Sequence, residues 1–491
     1  MQKRGHFYFV LTGLIIDEFT SELISLSMHT YLRRIYIIQV MIDAFHIDIF
    51  DMNLAYSTPD ILKRFFSADP VSLPKKGILF RILAYFGHML KSINPSLWIK
   101  QVKIPMGLIL LYVKSKNQRY SLEPLLPNLD DSILFGNHAE FPFTFTTFIA
   151  HVISLPFFPI ILNKFFQADG LIKEGFYYNF NLYWLTYGYY ISVRFWLHYI
   201  KPKAIVFAND HTMENRVIAK GSKDEGIPTI YMQHASVAMQ MPPLSFDYAL
   251  LDGKDALSIY DKIGPSKTQV FLIGIPKFDK YFKNINMRDT IISVGICTNW
   301  VEPIDRAEEL CLNLRNNLPD HKLFLRPHPQ DKRMEAWEKI ARNLEITYSD
   351  SKEEGVFDYL QMVDLILAGN SNIHLEAALV NVYPIYYDFS LNPDLETYSF
   401  VKNGLSEYIS DPLTATEKIL SLTKNRPNIR RRTIWYCNTV ETRYDGYSSE
   451  LACKLINQIA SHGIVQKENW IKIDDFQLEA YEPSLSGKSL I

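Results

Sequence analysis

A chain of 491 residues is too long for one ordinary hydrophobic core, so two domains are expected. Its 48% apolar and 21% charged residues exclude a disordered chain. The formal net charge of -2 excludes a sequence-independent grip on nucleic acid, which needs a clear excess of Lys and Arg.

The first residues, MQKRGHFYFVLTGLIIDEF, open like a signal peptide, but the apolar part is short and no small-residue cleavage site follows. Asp17 and Glu18 end it, and a first β-strand over residues 6–12 is expected instead. The four cysteines lie far apart without zinc-ligand spacing, which fits buried thiols in a reducing compartment. A cytoplasmic protein is expected, with room for a peripheral place on the inner face of the membrane.

Residues 91–129 show no clear pattern. Residues 132–136 (SILFG) read as a strand whose end presents Asn137 and His138, where an acceptor could lie. Residues 141–166 are apolar over a length that could span a bilayer. His151, Pro156, Pro159 and Asn163 interrupt that run, so a buried helical pair is expected. The alternative is a peripheral membrane contact through residues 141–200, near a lipid-linked acceptor. Residues 175–199 read as a long aromatic helix.

From residue 204 short β-branched runs alternate with helical stretches, the pattern of parallel βαβ units. Strands are expected at 204–210, 229–234, 248–252 and 270–274, with a helix from 213 to about 225. After a polar link at 280–289 the pattern restarts, with strands at 291–294, 322–326, 345–348, 365–368 and 383–387. Helices are expected at 306–317, 373–380 and 449–461. The expected organisation is α/β: two Rossmann-like doubly wound domains, 1–285 with helical insertions and 286–462, followed by a tail at 463–491.

Open parallel sheets bind ligands beyond the carboxyl ends of their strands, so polar residues at those ends are the site candidates. In FLRPHP, at 324–329, two prolines fix the direction of His328. Arg326 adds a permanent cation able to fork onto phosphate oxygens. In AGNSNIHLE, at 368–376, Asn370, Ser371 and Asn372 sit where a strand passes into a helix, with Glu376 a turn later. Thr298 ends the first strand of the second domain. In the first domain His234 follows a strand and could take a proton from a hydroxyl, with Asp210 to orient it or to act as base itself. Glu214, early in the next helix, is a third candidate base. Phosphate-loop, GxGxxG, GxSxG and HExxH signatures are absent from the sequence, and no DxD pair ends a strand.

The order of these features resembles bacterial glycosyltransferases of the two-domain GT-B architecture that build surface polysaccharides. Among them are sialyl- and Kdo-transferases with an HP motif, and the teichoic-acid polyol-phosphate transferases. The resemblance covers about residues 204–460. It implies two domains facing a central cleft, acceptor on the first and nucleotide-activated donor on the second. It places His328 and Pro329 at the donor phosphate, Ser371 and Asn372 at the phosphate-binding helix start, and His234 as the base. Residues 274–279 (GIPKFD) resemble the family's G-x-P-x-x-D turn. Two departures stand out: Ala235 follows the histidine where glycine is usual, and Gly369-Asn370 replaces an Asp-Tyr pair.

The resulting expectation is transfer of a sugar from a nucleotide donor, CMP-linked by resemblance, to a hydroxyl of a cell-surface polysaccharide or lipid-linked glycan. No cofactor or metal enters this scheme. Two alternatives share the shell: a nucleotide-sugar enzyme like UDP-N-acetylglucosamine 2-epimerase, and a non-catalytic assembly protein that binds nucleotide or glycan.

Overall fold

The computed structural model describes residues 33–53, 76–239, 241–390, 396 and 398–484. The strand expected over residues 6–12 lies outside them.

Six short strands build most of the first sheet: β1 (Ile109–Tyr112), β2 (Ser132–Phe135), β3 (Ala204–Phe207), β4 (Thr229–Met232), β5 (Tyr248–Leu251) and β6 (Gln269–Leu272). They pair in parallel in the order β2-β1-β3-β4-β5-β6. β1, β3, β4 and β5 are buried at every residue, which is why they read as continuous apolar runs and not as alternation. β1 lies inside the stretch that showed no pattern. The chain steps outward from β1 to β2 and returns to β3 on the other side of β1. That reversal opens a crevice at the strand ends.

Against this sheet packs a helical layer. The apolar run at 141–166 becomes the helices Thr144–Ser154 and Phe158–Gln167, joined by a 3-10 turn at Leu155–Phe157. Both contact the helix Gly170–Ile200, whose Tyr183, Tyr187, Tyr189 and Tyr190 are fully buried. Tyr85 stacks on Trp184 with ring centroids 3.8 Å apart, and Phe157 stacks on Tyr187 at 4.8 Å. Among the described residues Thr144–Gln167 is the one stretch long and apolar enough to cross a membrane.

The second sheet holds β7 (Ser293–Thr298), β8 (Lys322–Pro327), β9 (Thr347–Tyr348), β10 (Leu365–Ala368), β11 (Tyr383–Tyr387) and β12 (Glu407–Ile409). All are parallel, in the order β12-β11-β10-β7-β8-β9. The chain again reverses, from β9 back to β10 beside β7. The ends of β7, β8 and β10, which carry Thr298, His328 and Asn370–Glu376, therefore converge on one crevice. Two Rossmann-like units with such crevices form the GT-B layout.

The unit boundaries differ from the sequence expectation. Ile275, Phe278 and Phe282 already belong to the second core, ahead of residue 285. The helix Ser448–His462, expected to finish the second domain, packs into the first through Leu451, Leu455, Ile456 and Ile459. Within the expected tail, residues 463–484 are not patternless. β13 (Trp470–Ile473) and β14 (Ala480–Pro483) form an antiparallel pair, and β14 adds in parallel to β6. The two strands are four residues each, so their sequence carried no long apolar run.

One turn governs the return. The Asp279 carboxylate accepts the backbone N–H of Ser448 at 3.0 Å and of Ser449 at 2.7 Å, capping the last helix from a distant part of the chain. Gly274 has φ +75, and a Cβ there would lie 2.1 Å from Thr439 Oγ1 and 2.4 Å from Ser448 Oγ. Gly274→Ala should therefore cost about 1–3 kcal/mol through strain and overpacking. Asp279→Ala should cost about 1 kcal/mol through the lost cap. Chemical denaturation checks both, and an unchanged midpoint for Gly274→Ala would show that the crossing is loosely packed.

Candidate functional site

Across the cleft, a hydrogen bond ties strand ends of the units together. Ser236 Oγ donates to Asn372 Oδ1 at 2.5 Å, and Lys277 lies close enough to Glu376 for each to perturb the other's charge. Lys277 Nζ also donates to the His234 carbonyl at 2.7 Å. Burial lowers the pKa of this ammonium, while Asp252 and Glu376 oppose that shift.

Glu376 stands where the sequence placed it, one turn into the helix Ile373–Leu379. Burial pushes its carboxyl up to about 7, against the pull of Lys277 and Arg326. The loop before that helix is locked from below. His374 Nε2 meets the Gly369 carbonyl at 2.8 Å and Nδ1 meets Ser406 Oγ at 3.2 Å, with burial holding the ring at about 4. Asn299 Nδ2 donates to the Asn370 carbonyl at 3.1 Å, and the Ser371 hydroxyl accepts the Ile373 N–H at 3.4 Å.

His328 is half-buried at the end of β8, and burial lowers its pKa. Its Nδ1 accepts the Gln330 N–H at 3.2 Å, so the neutral ring carries its proton on Nε2. In that tautomer Nε2–H is the donor the ring can offer. β8 and β10 flank β7, which puts these two strand ends about 10 Å apart. Pro329 follows, exposed. Thr298, buried at the end of β7, has an Oγ1 without a partner among the described residues.

Arg326 is placed differently from expectation. Its guanidinium donates to Ser349 Oγ at 2.6 Å, to Glu354 Oε2 at 3.1 Å and to the Glu354 carbonyl at 2.7 Å. It also lies over the Tyr359 ring at 4.9 Å. The residue braces the loop after β9, and its charge reaches Glu376 at longer range.

On the first unit, His234 follows β4 with its Nδ1 buried and unpartnered among the described residues. Burial and Lys277 lower its pKa to about 4, with Asp210 opposing. Asp210 orients a different ring: its Oδ1 lies 2.9 Å from His211 Nδ1, and Oδ2 accepts from Tyr260 at 2.9 Å. Asn209 Oδ1 accepts the N–H groups of His211 and Thr212, both at 3.1 Å, which turns its amide nitrogen toward His211 Nε2, also at 3.1 Å. Glu214 pairs with Lys114 Nζ at 2.6 Å, bridging the ends of β1 and β3. Asn137 and His138 are exposed beyond β2, the outer strand of the sheet, three strands from β4.

Sequence reading passed over Lys277, His211 and Glu302. Glu302 is buried, and burial pushes its carboxyl up to about 8. Its Oε2 accepts the Asn299 N–H at 2.6 Å, and its Oε1 would stand 1.9 Å from a Cβ at Gly369. A side chain there would force the Glu302 carboxylate to move. The signal for Lys277 was its place in the GIPKFD turn. Among the described residues no group of three or more His, Cys, Asp or Glu side chains converges as a metal site would.

The fold and cleft define a two-unit α/β protein with a polar strand-end site. No protein-family profile and no curated protein matches the sequence. Solved structures similar to it include a UDP-GlcNAc 2-epimerase from Neisseria meningitidis bound to UDP-GlcNAc, at 14% identity and TM-score 0.45 over 72% of this chain and 98% of that one. The wall teichoic acid polymerase TagF is similar at 11% identity and TM-score 0.44, over 79% and 99%. MurG from Acinetobacter baumannii is similar at 10% identity and TM-score 0.41, over 72% and 100%.

The raised pKa of Glu376 has a definite consequence for stability. Its folded value lies above the ordinary 4.5, so its contribution is fully present below about pH 4.5 and is lost as pH rises through about 7. Glu376→Gln should gain stability relative to wild type over that window, read as a growing difference in Tm. A difference that stays constant with pH would mean that the carboxyl is solvated.

Proposed function

We propose that the chain transfers a glycosyl group from a nucleotide-activated donor to a hydroxyl acceptor. One observation supports the reading: Ser236, two residues beyond His234, donates to Asn372 Oδ1 at the start of the helix that carries Glu376. The acceptor oxygen attacks the anomeric carbon and loses its proton to His234, which is unprotonated at neutral pH and keeps an unengaged Nδ1. The bond from the anomeric carbon to the phosphate oxygen breaks, and its electron pair stays on the phosphate. The Nε2–H of His328 and the Lys277 ammonium meet that growing charge. Glu376, ionised, accepts hydrogen bonds from a ribose diol. Arg326 acts by holding the wall of the site and not by touching the phosphate.

The resemblance of the RPHP segment makes a CMP-linked sugar the first donor to test. A hydroxyl of a cell-surface polysaccharide or lipid-linked glycan is the matching acceptor class. An epimerase would consume donor with no acceptor present, and a non-catalytic binder would release no product with any pair.

A thermal-shift screen against CMP, CDP, UDP, GDP and ADP comes first. One nucleotide should raise Tm, because a ligand of the native state stabilises it by mass action. His328→Ala should lose most of that shift and about 10²–10³-fold in turnover, the usual cost of removing one donor to a developing oxyanion. Equal shifts in both proteins would sink the role of His328. Nucleotide affinity in wild type should also rise as pH passes upward through about 7, where Glu376 ionises, and Glu376→Gln should flatten that dependence. Isothermal titration at several pH values measures it.

A further inference from the structure

Between Asp69 and Glu123 the sequence carries Lys75, Lys76, Arg81, Lys91, Lys100, Lys103, Lys114, Lys116 and Arg119 and no acidic residue, in a chain whose net charge is -2. The middle of this segment folds as the helices Ile78–Lys91 and Pro95–Val102. Both are anchored on their inner sides. Arg81 Nε donates to the Tyr177 carbonyl at 2.9 Å, the Tyr85 hydroxyl to the His151 carbonyl at 2.5 Å, and Gln101 hydrogen-bonds Thr146.

Their outer sides are apolar and open. Leu79, Leu83, Phe86 and Leu90 fall within about 60° of one another around the helix axis. They are 71%, 62%, 38% and 62% exposed, respectively. Ile99 and Val102 continue the surface at 57% and 63%. A helix with Tyr85 buried on one side normally turns charges outward on the other. Here the outward stripe is leucine and phenylalanine, and the flanking charges are all positive: exposed Lys91, Lys100 and Lys103. Lys and Arg beside an apolar stripe suit a surface that is oily within and negative at its face. A protein partner would also accept the stripe, but the one-signed charge favours lipid phosphates. The long helix Gly170–Ile200, within the region whose alternative reading was membrane contact, is largely enclosed.

We propose that the helices Ile78–Lys91 and Pro95–Val102 are a docking surface for an anionic lipid bilayer, lying in its interface without spanning it. The proposal is independent of the nucleotide reading and needs no turnover to test. The full chain is co-sedimented with phosphatidylcholine vesicles and with vesicles in which about one third of the lipid is phosphatidylglycerol. Wild type should pellet with the anionic vesicles, release as salt rises, and bind the neutral ones weakly. Leu79→Glu with Leu83→Glu should lower the bound fraction by about tenfold or more. Lys100→Glu with Lys103→Glu should do so by at least about fivefold per site. Leu413→Glu, an equally exposed leucine on the second unit, should bind as wild type does.

Melting curves that match wild type keep the comparison free of unfolding. Wild type left in the supernatant with anionic vesicles overturns the proposal, as does undiminished binding by the Leu79→Glu, Leu83→Glu protein. Light scattering that shows a wild-type dimer, converted to monomer by that pair without loss of vesicle binding, would assign the face to a second copy and overturn it too.

Discussion

The turn from Gly274 to Asp279 is the constraint on which the arrangement of the two units rests. Gly274 lets the returning chain pass within contact distance, Asp279 caps the helix that this chain starts, and Lys277 between them reaches the cleft. A side chain at Gly274 would push the crossing apart. The same shift would move Lys277 off the His234 carbonyl and away from Glu376. Fold and site thus share one short segment, and the spacing of glycine and aspartate around the lysine follows from that double duty.

The cleft gathers ionisable groups that burial drives toward neutrality. Glu376 stands at about 7 and Glu302 at about 8, Asp252 is raised, and His234 is held at about 4. Lys277 is lowered as well. Desolvation leads the causes in every case, as expected where two units close over polar side chains. A phosphate entering such a space brings charge to a place where a few donors count heavily, because water screens them poorly. This fits a site that waits for an anion more than one that is already internally neutralised by tight ion pairs. Arg326 shows the contrast, since Glu354 and Ser349 take up its donors.

Much of this was legible because fully buried parallel strands announce themselves. β3, β4, β5, β10 and β11 fall within expected runs and β8 overruns its own by one residue, and His328 and Glu376 were singled out from their places at or just beyond strand ends. Other features depended on contacts between distant residues. β1 is a run of four residues that was passed over although Pro105 and Gly107 precede it, and β14 is a brief strand whose partner β6 lies some two hundred residues earlier. Lys277 reads as an ordinary turn lysine until the second unit covers it. The Asp210 carboxylate was paired with His234 by proximity of strands, yet its own neighbour His211 took it, because a side chain one residue away reaches the carboxylate more cheaply than one on the next strand. Arg326 was read as a ligand because sequence could not reveal Glu354 beside it.

The path of the chain also sets an order for its making. The first sheet starts early, but β14, which covers β6, and the helix Ser448–His462, which covers β3, come from the end of the chain. The second sheet is contiguous and lies wholly between them. On the ribosome, where domains fold as units and in order of emergence, that second unit has all its strands before the first has its last two. The first unit must therefore wait with the flank of β6 unpaired while the second is synthesised. A bare strand edge invites pairing with other chains, so nascent protein is most exposed to aggregation along β6 during that interval.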